Sequence, residues 1–411
     1  MATNQLVSNE LYLWFVEEPT HPRLVGTLSL VTVGKGVSLT YAPTWLASGF
    51  PLSEDLPLVD IEHLPRTKEV AAGAVDDARP DRWGERVIRF IDKPARLSLM
   101  EFLYYVGDDR FGALGVSTSK DAYLPRIVGP LPRLESAQKL SEKIAKISGK
   151  EPITELEGRM AASGGSFGGA KPKALIEIGG EQWVIKLVPL AGENAIAVRR
   201  FDRKGAQRVH CISAGTALRA LVTATQEPDL SYPNLAQLLR RSGRTASSEN
   251  RREMAELFRR MVFNILIDNT DDHEKNHTLL VIPEPAGKGA SARLRRLALA
   301  PAYDVLPTNS GQGHQELGIG ADGHDLTLVN AMSQHSLFGL TAREACAEVA
   351  KVILVVDGWK EHFQAYGVSA ADIEELAQRI DGEALLSQRR GFRTEAYADT
   401  PPRARRSPLR E

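Results

Sequence analysis

The sequence predicts an α+β protein, β-rich in its N-terminal part and mostly helical in its C-terminal part. Three observations carry this. Residues 24–60 hold alternating runs broken by Gly and Pro, as in "LVGTLSLVTVGKGVSLTY", the pattern of short strands joined by tight turns. Met254, Leu257, Phe258, Met261, Val262, Ile265 and Leu266 recur at steps of three and four, which places them on one face of a helix. Residues 342–384 return to helical patterning after two short β-rich runs, "HTLLVIP" and "RLRRLALAPAYDV".

Composition narrows the class. With 411 residues, 43% of them hydrophobic and 25% charged, the chain has apolar material for the cores of two or three domains. A formal net charge of −1 gives no field to steer the whole molecule onto nucleic acid or a membrane. The arginine groups at 239–253 and 403–410 do not interleave with aromatic residues and read as solvated faces. Two cysteines, Cys211 and Cys346, cannot build a disulfide framework or a four-thiolate zinc site, which fits a reducing, cytoplasmic setting. No basic stretch precedes an apolar run at the N-terminus, and no span of about eighteen apolar residues occurs. Neither secretion nor membrane insertion is expected.

Taken in order, "GKG" at 34–36 sits between two alternating segments as a hairpin turn. The segment 80–92 reads as a helix opened by Pro80 in its first turn, and turn chemistry surrounds Gly107 and Gly112. These make a small α+β domain over 1–150, its end marked by a Pro-rich stretch and a short amphipathic helix. The second domain, 151–388, opens with the glycine-rich run Gly164, Gly165, Gly168 and Gly169, then two strands, "KALIEI" and "QWVIKL", joined by a tight "GGE" turn. The long helix that ends near Leu266 leads directly into "NTDDHEKNHTLL" at 269–280. Residues 389–411 hold too few apolar side chains to pack and are expected to be a disordered basic tail.

The stretch 269–280 allows two chemistries. From His273 it reads H-E-x-x-H, which on a helix would bind zinc and leave Glu274 as general base of a hydrolase. From Asp271 it reads D-x-x-x-x-N, an aspartate to receive a hydroxyl proton and an asparagine to hold magnesium in phosphoryl transfer. The helix-ending residues Asn269 to Asp272 before it and the β-branched "TLLVIP" after it favour a loop between helix and strand, hence the second reading. Phosphoryl transfer also needs a strand lysine, a glycine-rich cover and a second metal-binding aspartate beyond the loop. Lys186 in "WVIKL", the glycines of 164–169 and Asp304 in "APAYDVLPT" supply them in that order.

Seven segments together, "DARPDRWGERVI", "VGDDRFGALGV", "GSFGGAKPKALI", "WVIKL", "VRRFDR", "FNILIDNTDDHEKNHTLL" and "LAPAYDVLPT", resemble the HipA-type serine/threonine kinases of bacterial toxin–antitoxin systems. The resemblance implies a two-lobed, protein-kinase-like fold with ATP and Mg²⁺ as cofactors. Asp271 would be the catalytic base, and Asn276 and Asp304 the Mg²⁺ ligands. Lys186 would bind the nucleotide phosphates, with Lys173, Ser166, Gly168 and Gly169 in the covering loop and His273 and Lys275 completing the D-x-H-x-K-N motif. Ser166 aligns with the serine such kinases autophosphorylate. The implied partners are a helix-turn-helix antitoxin, DNA only through that antitoxin, and a protein substrate of which an aminoacyl-tRNA synthetase is the family's example. One departure stands out: between Lys186 and "VRRFDR" only "LVPLAGENAIA" intervenes, where the family has a helix and strand that brace the lysine. That shortened lobe raises the alternative of a kinase-fold protein with little or no turnover that binds an antitoxin or other partner.

Overall fold

The computed structural model describes residues 8–32, 35–127, 131, 173–190, 192–223, 225–245, 248–284, 294–308, 313–397 and 401–404. The chain divides into two compact units. The first comprises the chain up to Ile212 with 220–226 and 280–295, and the second comprises 213–219, 227–279 and the chain from Arg296 onward.

The first unit is built on an antiparallel sheet of β1 (Glu10–Phe15), β2 (Arg23–Val31), β3 (Gly36–Tyr41), β4 (Glu62–His63) and β5 (Leu114–Ser117), in the order β4-β3-β2-β1-β5. The alternation in the sequence becomes one buried face: Leu11 pairs with Leu28 and Leu28 with Leu39, and all three are at most 1% exposed. Gly26 is required where β2 and β3 approach, because a Cβ there would lie 2.1 Å from the Thr40 carbonyl oxygen. Part of the stretch expected to be strand is instead a short helix, α1 (Pro43–Ser48), which buries Trp45 against Phe15 and Phe50. Helix α2 (Arg82–Ile91) begins two residues later than the sequence suggests. Asp81 is its cap, accepting from the Gly84 N–H at 2.7 Å, and Pro80 stands before the cap. Helix α3 (Leu99–Tyr105) starts with the capping box Ser98 and Glu101.

A second sheet in this unit has the order β6 (Lys173–Ile178), β7 (Glu181–Leu190), β8 (Gly192–Arg199), all antiparallel. The expected tight turn between β6 and β7 is present, with Gly179 and Gly180 both at positive φ, the conformation a two-residue hairpin loop demands. Trp83 and Val87 of α2 pack with Ala174, Ile176 and Ile185 of this sheet in one cluster. A boundary near residue 150 therefore cuts through a shared core, since both sides of it contribute to the same apolar contacts. The short strands β9 (Arg203–Lys204) and β10 (Gln207–Arg208) follow.

Strand β11 (His210–Ser213), with β12 (Thr278–Pro283) and β13 (Arg295–Leu299), forms a further sheet in that order. The second unit is mainly helical: α4 (Ala214–Arg219), α5 (Tyr232–Ser242), α6 (Glu249–Leu266), α7 (Leu328–Ser333), α8 (Ala342–Asp357), α9 (Trp359–Ala365), α10 (Ala370–Ile380), α11 (Glu383–Gly391) and α12 (Thr394–Tyr397). The face of α6 read from its periodicity is the buried one. Among the described residues no helix is long and apolar enough to cross a membrane.

The expectation of a disordered tail from 389 is corrected over its first part. Arg389 is 4% exposed and donates to Asp357 at 2.8 Å, Asp381 at 2.8 Å and the Ile380 carbonyl at 2.6 Å. Phe392 stacks on Tyr397. A basic stretch that reads as solvated is ordered here because two carboxylates neutralise its first cation and a carbonyl accepts a further hydrogen bond from it.

Candidate functional site

In the second unit the end of α6 passes into a loop rather than a further helix. Asp268 takes a left-handed backbone (φ 60°), a conformation that Asp tolerates better than most residues. Its carbonyl accepts from the N–H and the hydroxyl of Thr308, at 3.0 and 2.9 Å. Residues Glu274–Asn276 form a single 3₁₀ turn flanked by extended His273 and His277. This is not the helix that the H-E-x-x-H reading needs. Two residues of the zinc motif are also engaged elsewhere: Glu274 receives Arg219 at 2.7 Å and His277 Nε2 meets Asp272 at 3.0 Å. Among the described residues no group of three or more His, Cys, Asp or Glu is arranged to hold a metal. Burial pushes the Glu274 carboxyl up, but the hydrogen bond and charge of Arg219 outweigh it and hold the group below the usual glutamate range. It is an anion engaged by Arg219 at 2.7 Å.

The D-x-x-x-x-N reading finds a closed turn. Asp271 is exposed, whereas Asn276 is 7% exposed. The Asn276 Nδ2 donates to the Asp271 carbonyl at 3.1 Å, which leaves Oδ1 as the acceptor end of that amide. The Lys275 N–H donates to His273 Nδ1 at 3.2 Å, and the Asn276 N–H to the His273 carbonyl at 2.9 Å. His273 thus shapes the turn, and Lys275 is exposed on it.

Asp304 stands in a segment pinned to this loop on both flanks. On one side the Tyr303 hydroxyl donates to the Lys275 carbonyl at 2.7 Å and lies 2.7 Å from the Thr278 hydroxyl. On the other, the Thr308 hydroxyl accepts from the Thr270 N–H at 2.7 Å. Between them Asp304 itself is left-handed, φ 56°. A non-glycine residue held there costs on the order of 1 kcal/mol or more and persists only where its surroundings fix it. Tyr303, Thr308, Tyr232 and Gln315 were not singled out by motif reasoning. Only Tyr303 and Thr308, which flank Asp304 in "YDVLPT", had a sequence signal that could have found them. Thr308→Val keeps the shape and removes the hydroxyl, so it is expected to lower the unfolding free energy by about 1–3 kcal/mol, measured by denaturant titration.

The lysines lie in the first unit. Lys173 and Lys186 are directly paired across β6 and β7, so they share one face of the sheet and their charges repel. Asp81 relieves this. Its Oδ2 lies 2.6 Å from the Lys173 ammonium, and Trp83 Nε1 donates to the Lys173 carbonyl at 2.9 Å. Lys173 is 1% exposed, held in the interior of its unit, while Lys186 is half-buried. Burial outweighs Lys173 and raises the Asp81 carboxyl. After Lys186, β7 continues to Leu190 and β8 returns antiparallel to it, with Lys186 opposite Ile196 and Leu190 opposite Gly192. Ser166, Gly168 and Gly169 lie outside the described residues.

Two family models match the chain. The HipA N-terminal domain matches residues 20–117, and the HipA-like C-terminal domain matches residues 185–359. No curated protein matches the chain. Among solved structures, HipA of the Shewanella oneidensis MR-1 toxin–antitoxin system, determined with HipB and its operator DNA, superposes with a TM-score of 0.62. The match covers 95% of this chain and 100% of that one at 16% identity, a likeness of fold, and that fold is kinase-like. Both HipA domains occur in order along this one chain, and the protein belongs to the HipA family.

Proposed function

We propose that the protein is an ATP- and Mg²⁺-dependent serine/threonine protein kinase that serves as the toxin of a toxin–antitoxin pair. The observation that carries this is the closed turn of Asp271 to Asn276 with the Asp304 segment fixed to it by Tyr303 and Thr308. Asn276 and Asp304 offer oxygen donors, the ligand type a hard divalent cation takes, and the Asn276 amide is already oriented by its bond to a backbone carbonyl. Bound Mg²⁺·ATP supplies the γ-phosphoryl group and the charge neutralisation that transfer requires. Asp271, exposed at the head of the turn, would receive the proton of a protein serine hydroxyl, whose oxygen would bond the γ-phosphorus with ADP as the leaving group. Lys186 carries the phosphate-binding role on the strength of its place on β7 and of the family membership. A helix-turn-helix antitoxin is the proposed partner, with DNA reached through it, in line with the Shewanella oneidensis HipA having been solved with HipB and operator DNA.

Incubated with Mg²⁺ and ATP, the purified chain is expected to gain one phosphate, on Ser166, by intact-mass spectrometry. The hairpin of β7 and β8 after Lys186 favours a second reading, a kinase-fold protein of little turnover that acts by binding its partner. Absence of phosphate both on the chain and on proteins of a lysate would select it.

A further inference from the structure

Asp272, next to the proposed base, is 2% exposed. Its Oδ2 collects three donors: the Tyr232 hydroxyl, His277 Nε2 at 3.0 Å and Gln315 Nε2 at 2.9 Å. Its backbone carbonyl accepts from the Leu317 N–H at 3.0 Å. Behind Tyr232 the donors continue in one direction. Asn264 Nδ2 donates to the Tyr232 oxygen at 2.8 Å, and Asn269 Nδ2 donates to Asn264 Oδ1 at 3.1 Å. The Tyr232 and His277 rings meet edge to face at 5.0 Å. One carboxylate therefore ties the first residue of α5, the last turn of α6, the stretch at 315–317 and both ends of the 272–277 turn. Burial pushes this carboxyl up, yet His277 and the hydrogen bonds from Tyr232 and Gln315 hold it below the usual aspartate range. Tyr232, His277 and Gln315 converge on it directly, and Asn264 and Asn269 join through Tyr232.

A carboxylate buried among donors stabilises no better than apolar packing of equal volume, because desolvation offsets the attraction. What it adds is fixed position. The Asn276 amide is oriented by the carbonyl of the 271–272 peptide, and that peptide is anchored at its far end by the Asp272 side chain. Resting on the kinase reading above, we infer that Asp272, with His277, Tyr232 and Gln315, is a positioning residue that sets the Asn276 amide for a divalent cation and so tunes metal affinity from beneath the loop.

The test is Mn²⁺ binding to the full chain in the presence of ATP, followed by electron paramagnetic resonance, for wild type, Asp272→Asn and Tyr232→Phe. Thermal unfolding serves as the control for folding. Asp272→Asn is close in shape, and Gln315 Oε1, buried and unpartnered, can accept from the new amide, so the variant is expected to fold. Residues that orient a metal ligand cost about 10- to 100-fold in metal affinity when changed. Asp272→Asn should weaken Mn²⁺ binding by that amount and Tyr232→Phe should shift it in the same direction by less. A role confined to stability would lower the melting temperature and leave the affinity of the folded protein unchanged. Equal affinity in wild type and Asp272→Asn overturns the inference and leaves the kinase reading intact. A wild type that binds Mn²⁺ with ATP, loses it in Asp272→Asn and transfers no phosphate overturns the kinase reading alone. A wild type that binds no Mn²⁺ overturns both.

Discussion

Asp271→Asn is expected to reduce phosphate transfer by about 10²- to 10⁴-fold, the range a positioned general base contributes, while the protein still folds and still binds Mn²⁺ with ATP. The reason is the division of labour between two adjacent aspartates. Asp272 points inward onto three donors, whereas Asp271 is exposed and contributes its backbone carbonyl, not its side chain, to the turn that orients Asn276. Exchanging the Asp271 carboxylate for an amide therefore removes the proton acceptor and leaves the turn standing. Asp272→Asn, in contrast, is expected to act on metal affinity. The two variants should separate cleanly when transfer rate and Mn²⁺ affinity are measured on the same samples, with melting temperature as the control. A transfer rate in Asp271→Asn equal to that of wild type removes the kinase assignment.

The sequence made some of this site legible and hid the rest for physical reasons. The choice of loop over helix at 269–280 followed from local chemistry, since turn-favouring Asn269 to Asp272 and β-branched Thr278 act over a few residues. The turn at Gly179 and Gly180 was legible for the same reason, because positive φ at both positions is a local demand of a two-residue hairpin. Long-range partners were not. Tyr232 and Gln315 reach Asp272 from 40 and 43 residues away, and nothing in the neighbourhood of either marks it. The core joining Trp83 to Ile176 likewise spans the point near 150 where composition suggested a boundary. Lys186 read as a phosphate-binding position because it is a cation amid apolar strand residues, and Lys173 through the resemblance of its glycine-rich segment. The cross-strand register that faces them together, and the Asp81 that takes one of them inside, appear only once β6 and β7 are paired. Arg389 misled in the same manner, since the acids that bury it, Asp357 and Asp381, lie on preceding segments.

Asp202→Ala is expected to lower the unfolding free energy by about 3–5 kcal/mol, the cost of leaving buried cations without their counter-charge and a large part of the stability of an ordinary domain. Asp202 is 1% exposed. It pairs with Arg200 at 2.7 Å and Arg203 at 2.8 Å, and accepts from the Gly112 N–H at 2.8 Å. Both guanidinium groups also donate to the Arg110 carbonyl, at 3.0 and 2.9 Å. The aspartate thus joins the "VGDDRFG" and "VRRFDR" segments within the first unit. Burial pushes its carboxyl up, but Arg200 and Arg203 prevail and hold it down at about 2, below the roughly 3.9 of an unfolded aspartate. The folded state therefore binds this proton less readily than the unfolded one. The stabilisation is complete above about pH 4 to 5, and it is lost as the pH falls through that value toward 2. Denaturant titrations of wild type and Asp202→Ala at pH 7, 4 and 3 should show a gap in stability that is full at neutral pH and narrows toward acid. Asp202→Asn should fall between the two, because it keeps the shape and the Gly112 hydrogen bond but removes the charge. A gap that is constant across this range would mean that the two arginines find compensation elsewhere, and that the cluster does not depend on Asp202 being ionised.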